Sequence, residues 1–300
     1  MLDNISFSIN NVSTDDFKKI LLNIGIETPK ISERIIISYY NLRIEYYPNS
    51  RILKIKNSIH KFYNAVNNGL PHNSNDFDFE QFSSIVNFLE ENTERSSNEM
   101  LIHSPFEFGL NINTGSVTPL YVISRYKSCS INSHNEFHTV LPRNGKPFQK
   151  VCCFSDYRIK GYDKSIQGGI TGKNIFRFEI VVTELRKLKH ILKKADSITL
   201  NYLNDRDVWA TLFEYMLSIY DRIAKIPYID EITPVQDINS IYNYSEKLMA
   251  EDISKTMKRS VYQKFRKNSK DVYVTYDSKV ENIHNKIRQQ MVEKFKDLYN

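Results

Sequence analysis

Residues 156–179 read DYRIKGYDKSIQGGITGKNIFRFE. Apolar and polar residues alternate at both ends, which predicts strands over 150–162 and 175–183. Between them SIQGGITGK (165–173) carries three glycines and predicts a turn or mobile loop. Alternate side chains of a strand share a face. Phe176, Phe178, Ile180 and Val182 form the core face of the second strand, leaving Arg177 and Glu179 opposite. In the first, Val151, Cys153, Tyr157 and Ile159 share one parity, and Asp156, Arg158, Lys160 and Tyr162 the other. An earlier segment, FEFGLNI (106–112), buries Phe106, Phe108, Leu110 and Ile112 and presents Glu107, Gly109 and Asn111. If the three strands share one sheet, Glu107, Asn111, Asp156, Arg158, Lys160, Tyr162, Arg177 and Glu179 gather on one face.

That face has a chemistry. Two or three carboxylates suit a hard divalent cation, which prefers oxygen ligands. Arg and Lys suit phosphate oxygens. A tyrosine among them can attack phosphorus, and the link it forms is reversible because a phenol of pKa near 10 leaves more easily than an alkoxide. The ordinary alternative is a solvated face of a half-buried sheet.

The rest of the chain reads as an α+β domain followed by helices. Ile5, Phe7 and Ile9 alternate with polar residues and predict an opening strand. Residues 14–24 and 77–91 have helical apolar spacing. Residues 34–47 and 51–56 flank Pro48-Asn49-Ser50 as a hairpin, and 113–147 reads as strand fragments and loop. Helices are expected at 205–225, 244–267 and 279–298. The expected division is an α+β domain over 1–190, with an antiparallel-rich sheet and helices on one face, and a helical C-terminal region over 191–300.

Composition sets limits. The 300 residues are 41% hydrophobic, enough for a sizeable core, and only 9 Gly and 9 Pro argue against a disordered chain. The net charge of +6 is compatible with a polyanionic partner. Cys129, Cys152 and Cys153 fit reduced thiols better than a disulfide or a zinc site, since the adjacent pair suits neither. The opening MLDNISFSIN lacks a basic n-region, and no window offers the ~18 apolar residues of a membrane helix. A soluble cytoplasmic protein is expected. No Gly-x-x-x-x-Gly-Lys-Ser/Thr loop occurs, which excludes a P-loop ATPase.

The ordered motifs Asn-Ser-Ile-His-Lys-Phe (57–62), Phe-Glu-Phe-Gly-Leu-Asn-Ile (106–112), Tyr-Asp-Lys (162–164) and Phe-Arg-Phe-Glu-Ile (176–180), with the Met-Leu-Asp opening, resemble phage and plasmid replication initiators. These are relatives of the filamentous-phage gene II protein and, more distantly, of rolling-circle plasmid Rep proteins. The resemblance covers roughly residues 1–225. It implies a metal-dependent enzyme that nicks and rejoins one strand of origin DNA through a 5′-phosphotyrosine bond, using Mg²⁺ or Mn²⁺, with a host helicase and polymerase as partners. It assigns the nucleophile to Tyr162, with Lys164 binding phosphate or aiding proton transfer. It assigns metal-associated carboxylates to Glu179 and Glu107; Asp156, from the shared polar parity, is a further candidate. The family often has Arg-x-Asp where this chain has Phe-Glu-Phe-Gly.

Tyr157 is the rival nucleophile, but it falls on the apolar parity. No His-x-His pair is present, and His134 and His138 sit in a loop-like context. DNA contacts are expected from Arg158, Lys160, Arg177, His60 and Lys61, and from Arg186, Lys187 and Lys189 in the basic run 184–194. The second basic run, 257–270, interleaves Tyr262 and Phe265. Solvated helix faces would look the same. The competing readings are a DNA-binding initiator that has lost nicking, and a structural protein with a half-exposed sheet.

Overall fold

The computed structural model describes residues 1–29, 33–130, 134–140, 149–226, 236–237, 239–241 and 257–299, and of residues 134 and 277–282 the backbone alone. In chain order the elements are β1 (Ser6–Ile9), α1 (Thr14–Asn23), β2 (Ile35–Tyr39), β3 (Leu42–Tyr47), β4 (Ile52–Lys56), α2 (Ile59–Asn68) and α3 (Phe79–Thr93). There follow β5 (Met100–His103), β6 (Phe106–Asn113), α4 (Pro119–Ser124), β7 (Tyr126–Ser130), β8 (His134–Val140), β9 (Gln149–Cys153), β10 (Tyr157–Asp163), α5 (Lys164–Gly168) and β11 (Ile175–Val182). The last are α6 (Leu185–Ile191), α7 (Leu200–Leu203), α8 (Arg206–Asp221), β12 (Ile223–Lys225) and α9 (Arg259–Tyr299).

Two antiparallel sheets carry the chain, so the fold is α+β. One runs β2-β3-β4-β1-β5, the other β12-β7-β8-β9-β10-β11-β6. The N-terminal segment joins them. Asp3 N–H donates to the Glu107 carbonyl and Gly109 N–H to the Met1 carbonyl, beside β6. On its other side Ile59 N–H donates to the Asp3 carbonyl. Residues 1–4 thus extend the edge of the larger sheet before the chain enters the smaller one. Local chemistry sets the helix starts. Ser13 with Asp16, and Asp78 with Gln81, form reciprocal caps at the starts of α1 and α3. Ser58 caps α2, and Gly69 ends it at φ 74°.

The apolar face of the larger sheet lies under α8 and α9. Phe178 meets Tyr220 of α8 with ring centroids 5.4 Å apart, and Phe213 of α8 stacks on Phe295 of α9 at 4.1 Å. Phe7, Tyr46, Phe108, Phe178, Trp209 and Phe295 all belong to one buried cluster. The polar face turns toward the N-terminal segment and α2, so β11 is buried on both faces. No helix among the described residues is long and apolar enough to cross a membrane.

Several boundaries differ from the sequence expectation. The segment 150–162 is not one strand: the chain reverses at residues 154–156, and β9 pairs back on β10 with Cys152 opposite Ile159. Parity does not carry across a reversal, so Cys152 is buried and Cys153 exposed. The segment 34–47 reverses as well, at Tyr40 with φ 51°. The expected loop 165–173 begins as the short helix α5, and the helix expected over 205–225 ends at Asp221 and gives way to β12, which pairs with β7. His134 and His138 lie in β8, not in a loop. Residues 244–256 of the helix expected at 244–267, and 131–133 and 141–147 of the segment 113–147, lie outside the described residues.

Candidate active site

The register aligns the three strands without a bulge. Tyr162 pairs with Arg177, which pairs with Asn111. One step along, Lys160 pairs with Glu179, which faces Gly109. In the next row Arg158 pairs with Val181, which pairs with Glu107. Directly opposed residues share a face, so the tertiary structure brings Glu107, Asn111, Arg158, Lys160, Tyr162, Arg177 and Glu179 together. Gly109 permits the close approach, because a Cβ there would lie 2.5 Å from the Phe178 carbonyl oxygen.

This face opens into a cavity of about 300 Å³ that the N-terminal segment and the start of α2 also line. Its lining includes Asp3, Lys61, Asn73, Glu107, Lys160, Tyr162 and Glu179. Glu179 is the hub. Its Oε1 accepts from Lys160 Nζ at 3.0 Å, and its Oε2 accepts from Arg177 Nε at 2.8 Å and from the Tyr162 hydroxyl at 3.1 Å. Glu107 Oε1 lies 3.6 Å from the same Lys160 nitrogen. Arg177 is buried and divides itself among Glu179, Asp3 at 2.8 Å and Asn111 at 3.0 Å. Lys164 donates to Asn73 at 2.6 Å and Gln167 at 2.5 Å, and its ammonium lies 5.8 Å from the Tyr162 ring centroid.

Burial and charge set the proton affinities. Burial, reinforced by the Glu179 carboxylate, pushes the Tyr162 phenol well above its ordinary range. Burial pushes Glu107 up to about 7, with repulsion from Glu179 adding to it. Burial would raise Glu179 too, but Arg177 and then Lys160 outweigh it and hold the carboxyl down. Burial, with Arg177 nearby, lowers Lys164 to about 7.

Several expected site residues are elsewhere. Asp156 precedes β10, at the end of the strand away from Tyr162, where it accepts from Arg186 at 2.6 Å. Its carboxylate is therefore not in the cluster. His60 belongs to α2 and its ring is buried against the segment that follows: it stacks on Phe77 at 4.8 Å and bonds Asn75 at 2.9 Å. A buried ring cannot meet DNA. Arg177 is likewise closed to phosphate, because its fork is consumed by its own carboxylates. Lys187 lies over the rings of Tyr157 and Tyr215 at 4.9 and 5.2 Å, on the helical side of the sheet. Lys189 donates to the Ala195 carbonyl. Tyr157 is buried against Phe154 on the apolar face, as parity required. Arg158 is exposed, and Lys61 lines the cavity.

Sequence reading gave no role to Asp3, Ser58 or Asn73. Asp3 receives the Ser58 hydroxyl, the Asn73 amide at 2.7 Å and Arg177. Its signal was present: Asp3 has the parity of Ile5, Phe7 and Ile9, and a carboxylate at a core-facing position needs buried partners. Asn73 sits in a loop and had no comparable signal.

A solved structure is similar to this chain. It is described as the structure of the rolling circle replication initiator protein from Geobacillus stearothermophilus. The match has 11% identity and a TM-score of 0.38, and it covers 77% of this chain and 88% of that one. No family model and no curated protein matches. A likeness that distant assigns no activity, which leaves the side chains to speak.

They do not fit a divalent metal as they stand. Among the described residues no group of three or more His, Cys, Asp or Glu side chains is arranged to hold one. Both oxygens of Glu179 are already engaged by Lys160, Arg177 and Tyr162.

Proposed function

We propose that this protein nicks and rejoins one strand of origin DNA, with Tyr162 as the nucleophile. The observation that carries the reading is the Tyr162–Glu179 hydrogen bond at the wall of a polar cavity that also presents Lys61 and Lys160. The resemblance of the motifs to replication initiators supplies origin DNA as the substrate.

The chemistry balances within the cluster. Tyr162 Oη attacks phosphorus as its proton passes to Glu179 Oε2. The bond from phosphorus to the 3′ oxygen breaks. Lys164, whose pKa burial lowers to about 7, donates the proton that the departing 3′ oxygen needs. The products are a 5′-phosphotyrosine and a free 3′-OH, which a host polymerase could extend. Rejoining is the same path reversed. Because the phenol holds its proton so tightly, deprotonation has to accompany attack.

A specific observation favours a second reading, an initiator that binds origin DNA without cutting it. Tyr162 is only 7% exposed, and the carboxylate facing it is a weak base because Arg177 holds its pKa down. Covalent trapping separates the two. A labelled single-stranded origin oligonucleotide should become attached to the wild-type chain and not to Tyr162→Phe. Adduct formation by Tyr162→Phe would sink the proposed nucleophile. Origin-specific binding without any adduct would establish the second reading.

A further inference from the structure

Cavity charge and hydrogen bonding together address how a phosphodiester is held. Three carboxylates line the cavity, those of Asp3, Glu107 and Glu179. Four basic side chains face them: Lys61 and Lys160 on the lining, and Arg177 and Lys164, which bond to Asp3 and Asn73 of that lining. Positive charge is already in excess before any ion arrives. Lys160 Nζ sits between the two carboxylates of the sheet face, 3.0 Å from Glu179 Oε1 and 3.6 Å from Glu107 Oε1. Those are the oxygens a divalent cation would have to bridge. It would have to evict the ammonium and leave it, still charged, on a 24% exposed side chain beside a second cation.

We propose that the Lys160 ammonium is this site's built-in cation, standing where a divalent metal would bridge Glu107 and Glu179, so that the cavity binds a DNA phosphate without a metal. A phosphodiester completes the charge balance that a dication would worsen. Lys160 then presents its remaining donor to the bound phosphate, while Glu107 and Glu179 keep the ammonium on the sheet face. This inference rests on the nicking function only for its substrate; the placement of the cation is independent of whether the bond is cut.

The decisive measurement is the electron paramagnetic resonance of free Mn²⁺, titrated with the whole chain. Wild type should leave the Mn²⁺ signal unchanged. Lys160→Met should gain Mn²⁺ affinity by about tenfold or more, a gain that the added change Glu179→Gln removes. Stoichiometric Mn²⁺ binding by wild type that is lost in Glu179→Gln would overturn the proposal, whatever Lys160→Met does. The oligonucleotide adduct supplies a second readout. An adduct formed equally in EDTA and in Mn²⁺ supports the proposal, and one formed only in Mn²⁺ overturns it. No adduct in either buffer would count against nicking, and the Mn²⁺ titration would still decide the cation.

Discussion

The Tyr162 hydroxyl donates to Glu179 Oε2 at 3.1 Å, diagonally across the β10–β11 pair, while Tyr162 itself is register partner to Arg177. Three residues from two strands therefore form one closed unit: phenol, carboxylate and guanidinium. Glu179 keeps its bonds to Lys160 and Arg177 if the phenol is lost. Tyr162→Phe should thus cost only about 1 kcal/mol of stability, a single hydrogen bond. Urea unfolding would measure it, and a near-native value makes the trapping result interpretable as chemistry.

Arg177 should behave differently. It is the buried partner of both Asp3 and Glu179. Removing it strands two buried carboxylates, so Arg177→Met should destabilise by roughly 3–5 kcal/mol. Arg177→Lys should recover little, because an ammonium cannot reproduce the fork that reaches Asp3, Glu179 and Asn111 together. Denaturant midpoints of the two variants against wild type test this.

Gly109→Ala should move the site without touching a charged residue. The new Cβ would meet the Phe178 carbonyl at 2.5 Å and the Glu179 Cα at 3.0 Å, both backbone atoms that cannot step aside cheaply. About 1–3 kcal/mol of destabilisation is expected. Adduct formation should fall more than the small-residue change alone suggests, since Glu179 is displaced. Unchanged stability would show that β6 and β11 pack more loosely than described.

Glu45 offers a pH signature away from the cavity. Burial would raise its pKa, but hydrogen bonds from Tyr47, Arg43, Lys56 and Arg34 outweigh that and hold it at about 2. A carboxyl depressed on folding stabilises above its unfolded pKa of about 4.3, and the contribution fades as pH falls toward 2. The stability gap between wild type and Glu45→Gln should be full at pH 7 and shrink through that window. A gap independent of pH would mean that packing, not charge, is what Glu45 supplies.

Alternation along FEFGLNI, YRIKGYD and NIFRFEI was enough to place Glu107, Tyr162, Arg177 and Glu179 on one face and Tyr157 on the other. It was enough because side chains of an unbroken strand must alternate. It failed at 150–162, where nothing in Cys153-Phe154-Ser155-Asp156 marks the reversal as plainly as a glycine or proline would. That failure misassigned Val151, Cys153 and Asp156.

By itself, then, the sequence determined the mixed strand and helix content and the polar face of β6, β10 and β11, because period-2 patterning is local. Only the tertiary structure decided that Asp3 of the N-terminal segment joins Arg177 of β11, that His60 and Arg177 are shut away from solvent, and that Lys160 lies between Glu107 and Glu179. Those outcomes depend on which strands become neighbours and on what covers the polar face. Both are set by long-range packing and charge pairing, which no local period encodes.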